Sequence, residues 1–89
     1  MHRYVFDMQA FARRLRDARH AAGLTQVALA AAIGARQSWI ARLEKGDATH
    51  IQADTLGRLC YALHVSADHL LGLEPRHDHP HHGPLPTDR

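Results

Sequence analysis

The chain has 89 residues, with eleven basic and nine acidic side chains and a single cysteine, Cys60. This length allows one domain with a modest core, and no apolar run approaches the roughly 20 residues of a membrane-spanning helix. The start lacks the apolar segment and cleavage site of a secretory signal, so we expect a cytoplasmic protein. One cysteine excludes an internal disulfide and a zinc site built on paired thiolates.

The charge is distributed unevenly along the chain. Residues 1–45 carry eight basic and three acidic side chains, whereas residues 46–89 carry three basic and six acidic ones. Such asymmetry is typical of a small domain that faces an anion on one side. A solvated helix face rich in arginine would produce the same count, and charge alone leaves both interpretations open.

Composition divides the chain into three parts. All four prolines follow Glu74, and residues 74–89 are almost without apolar side chains. We expect this tail to be disordered, because it cannot bury enough apolar surface to offset its ordering entropy. Upstream, alanine is abundant and apolar residues recur at spacings of three and four, which predicts helices throughout residues 8–73. Residues 1–7 form an N-terminal arm.

The first predicted helix begins at Asp7, a favourable N-terminal cap. It ends at Gly23, which suits the left-handed position after a helix. Its apolar face is formed by Phe11, Leu15, Ala18 and Ala22. Its basic outer face is formed by Arg13, Arg14 and Arg16.

Four further helices are predicted from their caps and stops. The second follows the cap Thr25 and stops at Gly34, and the last is short and follows the cap Ser66. The second, third and fourth helices are predicted at about residues 26–32, 36–45 and 53–63. The short last helix carries Leu70 and Leu71. Short connections between them predict an all-α, compact five-helix bundle.

Residues 26–45 have the features of a helix-turn-helix unit, in which two helices are joined by a short turn containing glycine. Ala30 is small enough for the next helix to cross closely above it. Gly34 can adopt positive φ in the turn, and Ile40 is a stiff, branched side chain that can fill the space between the helices. Three such positions can coincide by chance in an alanine-rich chain.

The flanking motifs strengthen this interpretation. They are L-R-x-x-R at 15–19, G-L-T-Q at 23–26, Leu29-Ala30, Ile33-Gly34, I-A-R-L-E-K-G at 40–46 and T-L-x-x-L-x-x-A-L at 55–63. Together they resemble the phage repressor and Cro type (XRE-like) helix-turn-helix family over about residues 8–73. The resemblance implies a lambda repressor-like, five-helix domain that binds double-stranded DNA, typically as a dimeric transcriptional regulator.

The resemblance also implies DNA-contacting residues. Gln37, Ser38 and Arg42 match the positions that face base edges, and Thr25 and Gln26 match those that contact phosphate. Helical periodicity independently places residues 38, 41, 42 and 45 on one side, opposite Ile40 and Leu43, which adds Lys45 to the set. Glutamine can bond adenine in bidentate fashion and arginine guanine. The alternatives are a solvated helix start for Gln37 and Ser38, and a phosphate clamp for Arg42.

Two positions depart from the family pattern. Arg36 stands where the family usually has a capping Ser or Thr, a loss that costs about 1 kcal/mol; it could add a phosphate or base contact. Trp39 could pack on the DNA backbone or a thymine methyl, or cover the edge of the core. We further expect Arg13 and Arg14 to contact phosphate.

Arg19 and Glu44 match a charged pair that, in the family, links the first helix to the end of the third. We expect this ion pair to be structural rather than DNA-contacting. If the pair is buried, removing one partner leaves the other charge uncompensated.

We therefore predict a sequence-specific repressor acting as a homodimer on a palindromic operator, with Leu70, Leu71 and Leu73 as the dimer surface or as closure of the core. Alternatives are an antitoxin or restriction-modification controller that also binds a protein partner, and a metal-responsive regulator using His77, His79, His81 and His82. We expect no cofactor, no bound metal and no catalytic residue, because the sequence has no catalytic motif.

Overall fold

The computed structural model describes residues 3–73, in which five α-helices and no strand are present. They are α1 (Met8–Ala21), α2 (Gln26–Ile33), α3 (Gln37–Glu44), α4 (Ala53–Leu63) and α5 (Ala67–Leu71). The predicted all-α fold and helix order are confirmed. α3 is one residue shorter at each end than predicted, because Arg36 and Lys45 are its flanking caps.

Three of the helices begin at a side-chain cap. Asp7, Thr25 and Ser66 each accept a hydrogen bond from a backbone amide in the first turn of α1, α2 and α5. These caps satisfy amides that have no carbonyl partner within the helix. The starts of these three helices are therefore encoded locally, as the sequence predicted.

The core is formed by large apolar side chains from all five helices. The most completely buried are Phe11, Leu15, Leu29, Ile40, Leu43, Leu59 and Leu70. Ala22 was predicted to face inward from the first helix, and this prediction is wrong: it is the exposed C-terminal cap of α1. The helix ends one residue before it, so its side chain no longer follows the apolar face.

α2 and α3 cross closely, as the helix-turn-helix motif requires. Ala30 on α2 and Ile40 on α3 are both buried in the shared core. Gly34 has φ 70° and ψ 33°, a left-handed conformation that costs other residues energy but not glycine. The amide of Ala35 donates to the carbonyl of Ala30 at 2.9 Å and closes the end of α2.

The N-terminal arm and α5 meet beside α1. The Tyr4 hydroxyl donates to the Leu71 carbonyl at 2.9 Å, and the rings of Phe6 and Phe11 lie 5.8 Å apart. Leu70 is fully buried within the single chain, so it closes the core and is not available to a dimer surface. Leu73 remains 46% exposed.

None of the helices among residues 3–73 has the length and apolar character needed to cross a bilayer. The four histidines predicted as possible metal ligands, His77, His79, His81 and His82, lie outside the described residues.

Candidate nucleic-acid interface

A buried ion pair lies beneath the crossing of α1 and α3. The Arg19 Nε lies 2.6 Å from Glu44 Oε2, and Arg19 Nη2 donates to Glu44 Oε1 at 2.9 Å. The two side chains are only 10% and 4% exposed. The remaining Arg19 nitrogen donates to the Leu24 carbonyl at 2.9 Å. The bidentate geometry and this third bond satisfy both buried charges.

The protonation of Glu44 is determined by these neighbours. Burial raises the pKa of its carboxyl, but hydrogen bonds from Arg19 and Gln26 and the charge of Arg19 outweigh burial, so the pKa lies below its usual value. The hydrogen bond to Glu44 in turn raises the pKa of Arg19. The carboxylate is therefore ionised at neutral pH and acts only as an acceptor.

A chain of amide side chains leads from this pair to the protein surface. Gln26 Nε2, at the start of α2, donates to Glu44 Oε1 at 3.1 Å. Gln37 Nε2, at the exposed start of α3, donates to Gln26 Oε1 at 2.7 Å. The structure thus joins the first residues of both helices, which the sequence assigned to phosphate and base contacts, and connects them to a buried charge.

The start of α2 also presents backbone amides. The Thr25 hydroxyl accepts from the Ala28 amide at 3.0 Å, while other amides of the first turn point out of the helix end. Such a terminus carries partial positive charge and favours an anion. Thr25 and Gln26 therefore lie at a helix terminus suited to an anion, and their contact with phosphate stays a prediction.

The exposed face of α3 carries the remaining predicted residues. Ser38, Arg42 and Lys45 are exposed on the side opposite the buried Ile40. Arg36 is exposed at the N-terminal cap and makes no side-chain capping bond. The absent cap thus agrees with the departure seen in the sequence, yet α3 begins at the next residue, Gln37.

Arg42 is held in place by two neighbours. Its guanidinium carbon lies 5.4 Å from the centre of the Trp39 ring, within the range of a cation–π contact, and its Nη2 donates to the Asp47 carbonyl at 3.3 Å. Trp39 is half-buried and packs against the edge of the core. Trp39 and Arg42 also line a cleft of about 390 Å³ against the α3–α4 loop.

The arginines of α1 do not act as one group. Arg16 Nη1 donates to the Glu44 carbonyl at 3.4 Å, and Arg13 is exposed. The Arg14 guanidinium instead lies against Gly72 at the end of α5. Arg14 and Arg16 lie about 200° apart around α1. The structure therefore separates Arg14 from the α3 side of the domain, where a phosphate contact was expected.

Three residues that support the interface were not identified from the sequence. Gln9 donates to the carbonyls of Lys45 and Gly46 at 3.5 and 3.4 Å, and Arg16 to that of Glu44. Arg58 on α4 donates to the Ile33 carbonyl at 3.1 Å, beside the turn of the motif. Gln9 and Arg16 are seven residues apart and share a helix face, a signal that could have paired them.

Comparison with known proteins identifies the class. A family model described as a helix-turn-helix domain matches residues 10–72. This covers most of the chain, so the protein belongs to the helix-turn-helix family. No curated protein matches the chain significantly.

Solved structures agree with this assignment. The restriction-modification controller protein C.AhdI from Aeromonas hydrophila is similar with a TM-score of 0.68 and 31% identity, over 72% of this chain and 96% of that one. The clp gene regulator ClgR from Corynebacterium glutamicum is similar with a TM-score of 0.70 and 25% identity, over 80% and 74% of the two chains. The Cro-type resemblance of the sequence is confirmed, and the protein is a DNA-binding transcriptional regulator.

An enzyme is also among the similar structures. Hydroxypropylphosphonic acid epoxidase from S. wedmorenis matches with a TM-score of 0.68 and 28% identity over 72% of this chain. The match covers only 34% of that enzyme. It therefore concerns a shared helical domain and carries no activity to this chain.

Proposed function

We propose that the protein is a repressor that binds a palindromic operator as a homodimer, with α3 of each subunit in the major groove. The observation that carries this proposal is the exposed row of polar side chains on α3, whose first member is fixed by the contact of Gln37 with Gln26 at 2.7 Å. Residues held in place before binding lose less conformational freedom when they bind. Half-sites would lie about 34 Å apart.

Each side chain has a distinct role in this proposal. Gln37 and Arg42 read base edges, with Ser38 between them on the same helix. Thr25, Gln26, Arg36 and Lys45 contact phosphates, together with Arg13. Trp39 supports Arg42 from the side through the contact described above. Binding rather than catalysis is the inferred role of all these groups.

Selection of bound sequences from random duplex DNA at physiological salt tests this function. We expect a palindromic consensus. Gln37→Ala should lower affinity for that site while nonspecific binding is nearly unchanged. Arg13→Ala should weaken binding to all sequences and reduce the slope of log affinity against log salt concentration by about one unit. An enrichment without any consensus would contradict sequence-specific recognition.

The proposed dimer surface combines the arm with the end of α5. Tyr4 contacts the Leu71 carbonyl, and the neighbouring Val5 and Leu73 are 74% and 46% exposed. Apolar side chains exposed in one chain can be buried by a second copy. Sedimentation at tens of micromolar should show a dimer. Leu73→Glu should dissociate it, whereas Tyr61→Glu, at another exposed apolar residue on α4, should not. A monomeric wild-type protein would remove the dimer from the proposal.

A second candidate function is control of a restriction-modification operon. It is favoured by the similarity to C.AhdI, which extends over 96% of that controller. Specific binding to DNA upstream of a neighbouring restriction or methyltransferase gene would support it. For the metal-responsive alternative, residues 3–73 bring together no group of three or more His, Cys, Asp or Glu side chains suited to a metal ion.

A further inference from the structure

Two side chains contact each other on the flank of α3 that borders its exposed face. Trp39 precedes Arg42 by three residues, a spacing that brings side chains together on a helix. The Arg42 guanidinium carbon lies 5.4 Å from the centre of the Trp39 ring. The Arg42 Nη2 also donates to the Asp47 carbonyl at 3.3 Å. The guanidinium is thus held beside the ring before any ligand is bound.

The contact with Asp47 leaves Arg42 able to bind a base. A guanidinium has five N–H donors, and this hydrogen bond uses one of them. Guanine presents two acceptors, N7 and O6, in the major groove, and they require two donors. Arg42 therefore retains enough donors to bind guanine in bidentate fashion while it keeps its position beside Trp39.

Trp39 presents an apolar surface next to this guanidinium. Its half-buried ring packs against the edge of the core and also lines an open cleft of about 390 Å³, together with Arg42 and Ala48. An arginine guanidinium is weakly hydrated and stacks on aromatic rings, so its faces also accept apolar neighbours. The ring and the guanidinium together therefore form a surface on which a small apolar group can lose its contact with water.

A methyl group of the DNA major groove fits this surface. The C5 position of a pyrimidine projects into the major groove, and thymine carries a methyl group there. In B-form DNA this position lies beside the N7 and O6 edge of the guanine that follows on the same strand. A guanidinium bound to that guanine therefore has the methyl group against it. 5-Methylcytosine carries the same methyl group on a different base pair.

We propose that Trp39 and Arg42 together read a two-base step, a C5-methylated pyrimidine followed by guanine, with Trp39 as the residue that recognises the methyl group. The inference rests on the proposed function, and it makes binding sensitive to cytosine methylation at this step. Thymine and 5-methylcytosine are equivalent for this contact, because the methyl group makes it and not the groups that pair the base.

Four duplexes that differ at one position test the proposal. Selection from random duplex DNA first identifies the guanine whose preference Arg42→Ala removes, and we expect thymine before it. The full chain is then titrated with duplexes carrying thymine, uracil, 5-methylcytosine or cytosine at that preceding position. Only the methyl group differs between thymine and uracil, and between 5-methylcytosine and cytosine. Each methyl group should raise affinity about fourfold per half-site, the effect of burying one such group.

Substitutions of Trp39 assign the effect to its ring. Trp39→Ala should reduce both methyl ratios to about one. Trp39→Phe should retain most of the effect, because a phenyl ring can contact a methyl group without an indole N–H. Tyr61→Ala is the matched control and should keep the wild-type ratios, because it removes an aromatic ring that is 85% exposed on α4. Circular dichroism checks that each variant folds.

The wild type carries the test if Trp39→Ala does not fold. Trp39 is the only tryptophan of the chain, so its fluorescence reports on this ring alone. At saturation, its emission in the complex with the thymine duplex should differ from that in the complex with the uracil duplex.

Four outcomes would overturn this inference while leaving sequence-specific binding intact. They are equal affinities within both pairs of duplexes, methyl ratios that Trp39→Ala leaves unchanged, identical emission from the thymine and uracil complexes, and a consensus in which no guanine preceded by a pyrimidine depends on Arg42. Absence of any preferred sequence for the wild type would instead remove the proposed function.

Discussion

The two ends of α3 are held in different ways. At its C-terminal end, side chains of α1 donate to three successive carbonyls: Arg16 to that of Glu44, and Gln9 to those of Lys45 and Gly46. At its N-terminal end, Arg36 supplies no side-chain cap, and a side-chain hydrogen bond to α2 comes from Gln37, which donates to Gln26. The helix is thus anchored at the end next to the core and left open at the end assigned to base contacts.

This difference shows how a short helix can be stable and still present polar groups to a ligand. Eight residues form too short a helix to be stable alone. Tertiary contacts at one end hold it in position, so the other end can leave polar groups free for a ligand. Substitutions at the anchored end should therefore reduce stability more than substitutions at the open end.

Removing the buried carboxylate at the anchored end should unfold the protein more than it alters sequence preference. Glu44→Ala leaves the Arg19 charge buried without a partner, and the expected loss is about 3–5 kcal/mol of unfolding free energy. Urea denaturation measures it. Asp47→Ala, an exposed carboxylate in the next loop, is the control and should change stability by less than about 0.5 kcal/mol. Equal losses in both variants would contradict the structural role of the pair.

Acid should remove part of the same stabilisation. The pKa of Glu44 is lower in the folded state than in the unfolded chain. Its contribution is therefore complete above the unfolded pKa of about 4.3 and is lost as the pH falls through the lower, folded pKa. Thermal unfolding midpoints measured from about pH 7 to about pH 3 should fall more steeply for the wild type than for Glu44→Gln. Parallel curves would exclude this group as a source of acid sensitivity.

Two glycines offer a matched comparison at the anchored end. Gly46 and Gly23 have nearly equal φ values, 74° and 72°. A Cβ at Gly46 would lie less than 3.0 Å from the Gln9 amide, whereas one at Gly23 would meet nothing within 4 Å. Gly23→Ala should cost about 1–2 kcal/mol of backbone strain, and Gly46→Ala about 1 kcal/mol more, because Gln9 must give up its bonds to the end of α3. Equal unfolding free energies for the two variants would mean that the Gln9 hydrogen bonds do not stabilise the end of α3.

Closing the open end should have the smallest effect on stability. Arg36 has the extended backbone of a cap, φ −91° and ψ 147°. Arg36→Ser should therefore stabilise the protein by about 1 kcal/mol in urea denaturation. The same variant should weaken binding to all DNA sequences alike if Arg36 contacts phosphate. A loss confined to one base would show that Arg36 reads sequence instead.

The sequence predicted those parts of the fold that depend on neighbouring residues. The caps at Asp7, Thr25 and Ser66 and the turn at Gly34 could be found because each is a local requirement of the backbone. The match of Arg19 to Glu44 followed from family resemblance. The pattern could not show that Gln26 joins this pair to Gln37, because that contact depends on how three helices cross.

Other placements also depend on how the helices pack. Arg13, Arg14 and Arg16 follow one another closely on α1, and the sequence treated the first two alike. A helix turns by about 100° per residue, so Arg14 faces α5 while Arg16 faces α3. Likewise Leu70 could serve a dimer or the core, and only the packing of α5 against α1 places it inside.

The contact between Arg58 and the Ile33 carbonyl has a consequence for folding. The helix-turn-helix motif ends before α4 begins, yet a side chain from α4 supplies a further hydrogen bond at the end of α2. A peptide of residues 25–46 would lack this donor as well as the apolar surface of α4. We therefore expect the helix-turn-helix segment to have no autonomous stability, and its backbone amides to exchange with solvent only when α4 detaches with it.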